Sequence, residues 1–226
     1  MKFKDGVDKD IGKFEMIGED AFITPFLTKE YCSYLISLFE DYGFKLDDNE
    51  NCDILMHRIK GGKDICKSYL KYVEKYIEPK ILKVFKPVIK TDHIDGGTVT
   101  HPGTRYRGLW AGYPVPFCKK WSNIEEGQTK LKLHNDNSLL TLFMILNDDY
   151  GGCETVFPRQ NWDTSKLKAG HVGIFPGTIT HPHFTKSLKS GVKYTLIGRV
   201  SILQPRNGEF DNIKNLFLDD NGELDA

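Results

Sequence analysis

The chain has no excess of either charge: 31 Lys and Arg balance 31 Asp and Glu. A protein that grips nucleic acid through its phosphates normally carries a basic surplus, so this balance argues against a general nucleic-acid binder while leaving room for a local basic patch. Long apolar runs are missing too. The longest, Leu139–Leu146, is interrupted by Thr141 and falls well short of the ~20 residues that cross a bilayer. The segment Met1–Asp20 is charged and contains glycine, without the apolar stretch of a secretory leader. Cysteine is sparse and unpatterned. Cys32, Cys52, Cys66, Cys118 and Cys153 form no CxxC pair, and an odd count fits free thiols in a reducing compartment. Together these absences predict a soluble, cytoplasmic chain with no nucleic-acid and no membrane partner.

Repeats, low-complexity tracts and long linkers are absent as well, so the 226 residues read as one domain with room for a substantial core. Within it the character changes once. From about 20 to 86 the pattern is helical. Thr28 caps a stretch whose Tyr31, Leu35, Leu38 and Phe39 share a face, with Gly43 as its stop. A second amphipathic stretch runs from about Asp64 to Glu78, where Pro79 is expected to break or kink it. Such stripes ordinarily pack on a sheet. From about 90 to 204 short β-branched or apolar runs alternate with Gly, Pro and Asn, which suggests an all-β barrel or sandwich. Candidate strands are Leu131–His134, Leu139–Leu146, Thr155–Phe157, His171–Phe175 and Tyr194–Leu203. Residues 205–226 form a polar, acidic tail.

Two histidines and a carboxylate are the ligand set of a mononuclear non-haem iron(II) site with open positions. His134 and Asp136 fit one half of it, because residues i and i+2 of a strand face the same side. HxD alone decides little, and His93-Ile94-Asp95 offers a second copy. That copy lacks a partner pattern downstream. His57, His101 and His171 are isolated and read as surface or hydrogen-bonding residues. For the third ligand, His181 and His183 compete.

The surroundings of His134-Asn135-Asp136 select it. An apolar run ends in Leu146-Asn147. Then come Gly152-Cys153-Glu154-Thr155-Val156-Phe157, Gly173-Ile174-Phe175-Pro176, His183 and Gly191-Val192-Lys193-Tyr194. This ordered series, from about Ile124 to Val200, resembles the iron(II)- and 2-oxoglutarate-dependent dioxygenases of the prolyl 4-hydroxylase-like branch. The resemblance implies a double-stranded β-helix (jelly-roll) core supported by N-terminal helices, an α+β fold that is mostly β. It implies His134, Asp136 and His183 as metal ligands and catalytic centre, favouring His183 over His181 because Gly191 and Lys193 follow at the family's spacing. Lys193 is implied as the partner of the 2-oxoglutarate carboxylate, with Arg199 a weaker candidate. Two tyrosines that often assist in that family are replaced, at Ile124 or Glu125 and within Phe143-Met144-Ile145. Thr141 and Thr195 are the candidate donors in their stead.

The cofactor set implied is Fe(II) with 2-oxoglutarate and O2 as co-substrates, and ascorbate is compatible with it. The activity implied is hydroxylation, foremost of peptidyl proline. The same chemistry on a free amino acid or other small molecule is the alternative. A non-catalytic metal-binding jelly-roll module is the alternative of another class. Asp136 disfavours a halogenase, and a nucleic-acid demethylase would need paired arginines after the distal histidine that this chain lacks. The basic, aromatic segment from His101 to Trp121 offers Arg105, Arg107, Trp110 and Tyr113 to clamp an extended peptide, or else fills the core.

Overall fold

A computed structural model describes residues 1–46, 52–84, 115–123, 128–136 and 138–200. The strands are β1 (Glu15–Gly18) and β2 (Ala21–Pro25), then β3 (Asp53–Leu55), β4 (Phe117–Ser122), β5 (Leu131–His134), β6 (Leu140–Ile145), β7 (Gly151–Gly152) and β8 (Thr155–Phe157). They continue with β9 (Trp162–Asp163), β10 (His171–Pro176), β11 (His183–Thr185), β12 (Leu188–Ser190) and β13 (Val192–Val200). The helices are α1 (Lys29–Tyr42), α2 (Gly62–Tyr72) and α3 (Glu78–Val84). None of the helices described is long and apolar enough to cross a membrane.

A seven-stranded antiparallel sheet in the order β1-β2-β10-β6-β13-β4-β3 is joined by a four-stranded sheet, β5-β11-β8-β9, and the pair β12-β7. Strand β6 shows how the layers are arranged. Each of its residues is buried, which happens when both faces of a sheet are covered. Leu140, Leu142 and Met144 join Val172, Ile174 and Leu196 in the cluster that includes Tyr31, Leu35 and Phe39 of α1 and Ile65, Tyr69 and Leu70 of α2. Phe143 and Ile145, pointing the other way, join Phe157, Phe175 and Ile197 inside the barrel. Phe157 of the smaller sheet meets Phe175 of the larger one edge-on at 4.7 Å. This is the expected mostly-β jelly roll with helices on its outer face.

The Thr28 hydroxyl accepts the amide of Tyr31, and Gly43, at φ 90°, ends α1. Pro79 behaves differently from the expectation. The helical path continues through it, because a π turn at Val73–Ile77 precedes α3 and the Glu78 amide reaches back to the Val73 carbonyl. The wider turn accommodates a proline that offers no N–H and crowds the turn before it. A second difference lies at the N-terminus: β1 and β2 form a hairpin that extends the larger sheet through β10. Composition there gave little strand signal, and the hairpin gains its stability from burial of Ala21, Phe22 and Ile23. His93-Ile94-Asp95, His101, Arg105, Arg107, Trp110, Tyr113, Ile124, Glu125 and the 205–226 tail lie outside the described residues.

Candidate metal and co-substrate site

His134 ends β5 and His183 opens β11, and the two are register partners. Between them and the Leu131–Thr185 pair the register slips. A bulge of this kind re-aims a side chain, and here it lets both Leu131 and His134 face inward. Asp136 follows two residues after His134 and is 6% exposed. Its Oδ1 lies 3.7 Å from His134 Nε2 and its Oδ2 lies 3.8 Å from His183 Nε2. One ligand atom from each of the three falls within 4.8 Å of the others. The donors converge without bonding to one another, since 3.7 Å is too long for a hydrogen bond.

Each histidine is held by its other nitrogen. His134 Nδ1 donates to the Lys132 carbonyl at 2.8 Å and His183 Nδ1 donates to the His181 carbonyl at 3.0 Å. That arrangement leaves both Nε2 lone pairs directed at the cluster, as ligating imidazoles require. Burial, the leading cause, holds His183 below the usual imidazole range despite the Asp136 charge, which favours the neutral ring a metal needs. The residues therefore fit a small divalent ion with N2O donors and open positions. Neither nitrogen of His181 joins them: Nε2 bonds the Glu19 carbonyl and Nδ1 the Thr180 hydroxyl.

The Asp136 carboxylate is itself braced. Thr141 Oγ1 donates to Oδ2 at 2.6 Å and Arg199 Nη2 to Oδ1 at 3.1 Å. Thr141 and Arg199 are cross-strand partners on β6 and β13, so the larger sheet grips a residue that lies just beyond β5 of the smaller one. Thr141, expected as a co-substrate donor, gives its hydroxyl proton to the Asp136 carboxylate in this structure. Arg199 likewise sits at the metal end. Sequence spacing gave no sign of either contact, because both depend on which strands become neighbours.

Lys193 lies further along the same inner face of β13 and is 0% exposed. Its Nζ donates to the Cys153 carbonyl at 2.5 Å and stands 5.4 Å from the rings of Phe143 and Tyr150 and 5.8 Å from that of Trp121. Phe143 is two residues from Thr141 on β6, so a continuous inner surface runs from Lys193 to Asp136. Cys153 holds φ 61°, a left-handed conformation that favours glycine. Among the described residues no carboxylate lies within 4.0 Å of Lys193, and burial pushes its pKa down to about 8. Lys119, the other buried lysine of this face, contrasts with it, being paired with Asp53 at 2.7 Å and Gln128 at 2.8 Å. Thr195, also buried, accepts the Trp121 indole N–H at 3.2 Å, which leaves its own hydroxyl proton to donate. Trp121 thus belongs to the core and is 2% exposed.

No protein-family model matches the chain. It is 26% identical over 196 residues to human procollagen-lysine,2-oxoglutarate 5-dioxygenase 2, which covers 79% of this chain and 23% of that protein. It is 26% identical over 200 residues to mouse procollagen-lysine,2-oxoglutarate 5-dioxygenase 1, covering 80% of the chain and 24% of the relative. The chain thus spans about a quarter of the length of these curated relatives. Among solved structures it is similar to a viral collagen prolyl hydroxylase from Paramecium bursaria Chlorella virus-1 in complex with 2-oxoglutarate. The TM-score is 0.56 at 17% identity, covering 83% of this chain and 98% of that one. A 2OG-Fe(II) oxygenase family oxidoreductase from Burkholderia pseudomallei gives a TM-score of 0.52 at 11% identity, over 86% and 88% of the two chains. The chain has the jelly-roll fold of the 2OG-Fe(II) oxygenases and resembles 2-oxoglutarate dioxygenases in sequence.

Proposed function

We propose that this chain, with the fold and motif order of the 2-oxoglutarate dioxygenases, is an Fe(II)- and 2-oxoglutarate-dependent hydroxylase of a peptidyl residue. The observation that carries the reading is Lys193: a buried cation with no carboxylate partner among the described residues, on the same inner surface as the His134, Asp136 and His183 cluster. A buried charge is costly unless paired, and a dicarboxylate held at the cluster by one end brings the missing partner at the other.

His134, Asp136 and His183 would hold the iron, and Arg199 and Thr141 keep the Asp136 carboxylate in place. Lys193 would pair with the distal carboxylate of 2-oxoglutarate, and the Thr195 hydroxyl, which keeps its proton free to donate, would assist it. Iron, when bound, supplies the activation of O2 that couples conversion of 2-oxoglutarate to succinate and CO2 with replacement of a substrate C–H by C–OH. One atom of O2 enters succinate and the other enters the product, so the exchange balances. The apolar wall of Phe143, Phe157, Phe175 and Ile197 excludes water from the reacting centre.

Peptidyl proline is the first substrate to test, and peptidyl lysine is the second reading, favoured by the names of the curated relatives. Both the viral and the procollagen relatives are named for collagen, so Gly-X-Y peptides carrying Pro or Lys form the substrate set. The test is anaerobic loading with Fe(II) and 2-oxoglutarate, then addition of O2 and these peptides. Succinate release matched by a one-oxygen mass gain on a Pro or Lys peptide supports the reading and identifies the residue. Succinate release without peptide oxidation points to a small-molecule substrate. No succinate, with metal bound but no 2-oxoglutarate bound, favours the non-catalytic metal-binding module.

A further inference from the structure

We propose that the β1–β2 hairpin is part of the support of the metal site, its turn fixing the orientation of His183 through His181 and Trp162. The inference rests on the reading of His183 as a metal ligand. It concerns residues outside the ordered motifs, and two separate lines of contact lead to it.

The first line runs through hydrogen bonds. His181 is 1% exposed. Its Nε2 donates to the carbonyl of Glu19, in the hairpin turn, at 2.9 Å. With that nitrogen protonated, Nδ1 of the neutral ring accepts from the Thr180 hydroxyl at 2.9 Å. The backbone of residue 181 is thereby tied to the hairpin, and its carbonyl is the group that receives His183 Nδ1 at 3.0 Å. The Thr180 carbonyl is tied down in turn by Gln160 Nε2 at 2.7 Å. The imidazole that was a rival ligand in the sequence is therefore a strut for the one that converges on Asp136.

The second line runs through ring faces. A Cβ at Gly18 would lie 2.7 Å from Cδ1 and Nε1 of Trp162, so the hairpin rests directly on the indole edge. Trp162 stacks on Phe157 with centroids 4.3 Å apart and planes at 11°, and Phe157 stacks on His183 at 5.0 Å and 29°. One line sets the bond that the distal imidazole makes, and the other sets the tilt of its plane. A metal ligand held at both points keeps its lone pair aimed, and loss of the partners that orient a ligand in this way costs about tenfold to a hundredfold in metal affinity. His181 and Gly18 are accordingly positioning residues, and neither touches the ion.

Titration of the full chain with Co(II), read by its ligand-field spectrum, tests this, and thermal unfolding in EDTA reports the fold separately. The amide nitrogen of Gln reaches the place of Nε2 whereas that of Asn reaches the place of Nδ1. His181→Gln is therefore expected to bind Co(II) within about twofold of wild type, and His181→Asn and His181→Leu about tenfold more weakly. Gly18→Ala, which must push the indole aside, is expected to weaken binding by a similar factor with an altered spectrum. Wild-type affinity in the Asn, Leu and Ala variants overturns the proposal. So does an equal loss in the Gln and Leu variants that merely follows their loss of thermal stability in EDTA. Failure of the wild-type chain to bind any divalent ion instead overturns the proposed function, and this inference falls with it.

Discussion

Lys193→Met is expected to stabilise the ligand-free protein while removing its response to 2-oxoglutarate. The lysine is 0% exposed and burial lowers its pKa from 10.5 to about 8, a shift that corresponds to a penalty of about 3 kcal/mol on the charged form at neutral pH. Met fills much of the same volume without the charge. It leaves the Cys153 carbonyl without its donor, at a cost of about 1 kcal/mol, so the net gain is about 2 kcal/mol. The pH dependence follows from the direction of the shift. Below about pH 8 the lysine is protonated in both the folded and unfolded chains and the penalty is full. Between about 8 and 10.5 the unfolded chain holds the proton more tightly, so wild-type stability rises with pH across that window, and the Met variant lacks the rise. Urea unfolding of the metal-free proteins at pH 7 and pH 10 measures both quantities. Repeating it with Mn(II) and 2-oxoglutarate at a hundredfold over its Kd adds about 2.7 kcal/mol to wild type and nothing to the variant beyond the effect of the ion. A variant less stable than wild type at pH 7, or stabilised equally by 2-oxoglutarate, refutes the reasoning.

Further outcomes follow from the braces on Asp136. Arg199→Leu removes a charged donor 3.1 Å from the Asp136 carboxylate, and calorimetric titration with Mn(II) should show affinity lowered about tenfold, with partial recovery in Arg199→Lys. Thr141→Val removes the 2.6 Å bond to the same carboxylate and should cost about 1 kcal/mol of folding stability in urea, together with a several-fold loss of metal affinity. A Cβ at Gly177 would meet the Ser138 hydroxyl at 2.1 Å and Asp136 Cβ at 3.1 Å. Gly177→Ala should therefore displace Asp136 and weaken Mn(II) binding, and unchanged binding would show that the loop gives way freely.

The parts of the fold that were legible in the sequence are those whose pattern is local. Strands β5 and β8 have the expected limits, and β6 and β10 differ from expectation only at their ends, because alternation and flanking turn residues define them. Helix α1 announces itself through Thr28 and Gly43. The hairpin Glu15–Pro25 does not, since its stability comes from pairing with β10 some 150 residues away. The passage through Pro79 depends on a π turn that composition does not encode. The convergence of His134, Asp136 and His183 was legible because several motifs occur in one order. Of His181 and His183, only the second converges on Asp136, while the first bonds the Glu19 carbonyl. The braces Thr141 and Arg199, the pairing of Lys119 with Asp53, and the rest of Glu19 on His181 were not legible. Each joins residues that only the assembled sheets bring together.

The most direct test of the central claim is whether 2-oxoglutarate binding requires a divalent ion at the cluster. Calorimetric titration of 2-oxoglutarate into the Mn(II)-loaded and the metal-free chain, with Asp136→Ala as control, answers it. The account predicts one molecule bound per chain with Mn(II) and no binding without it or in the Asp136→Ala protein. Equal binding in all three, or no binding in any, would contradict it.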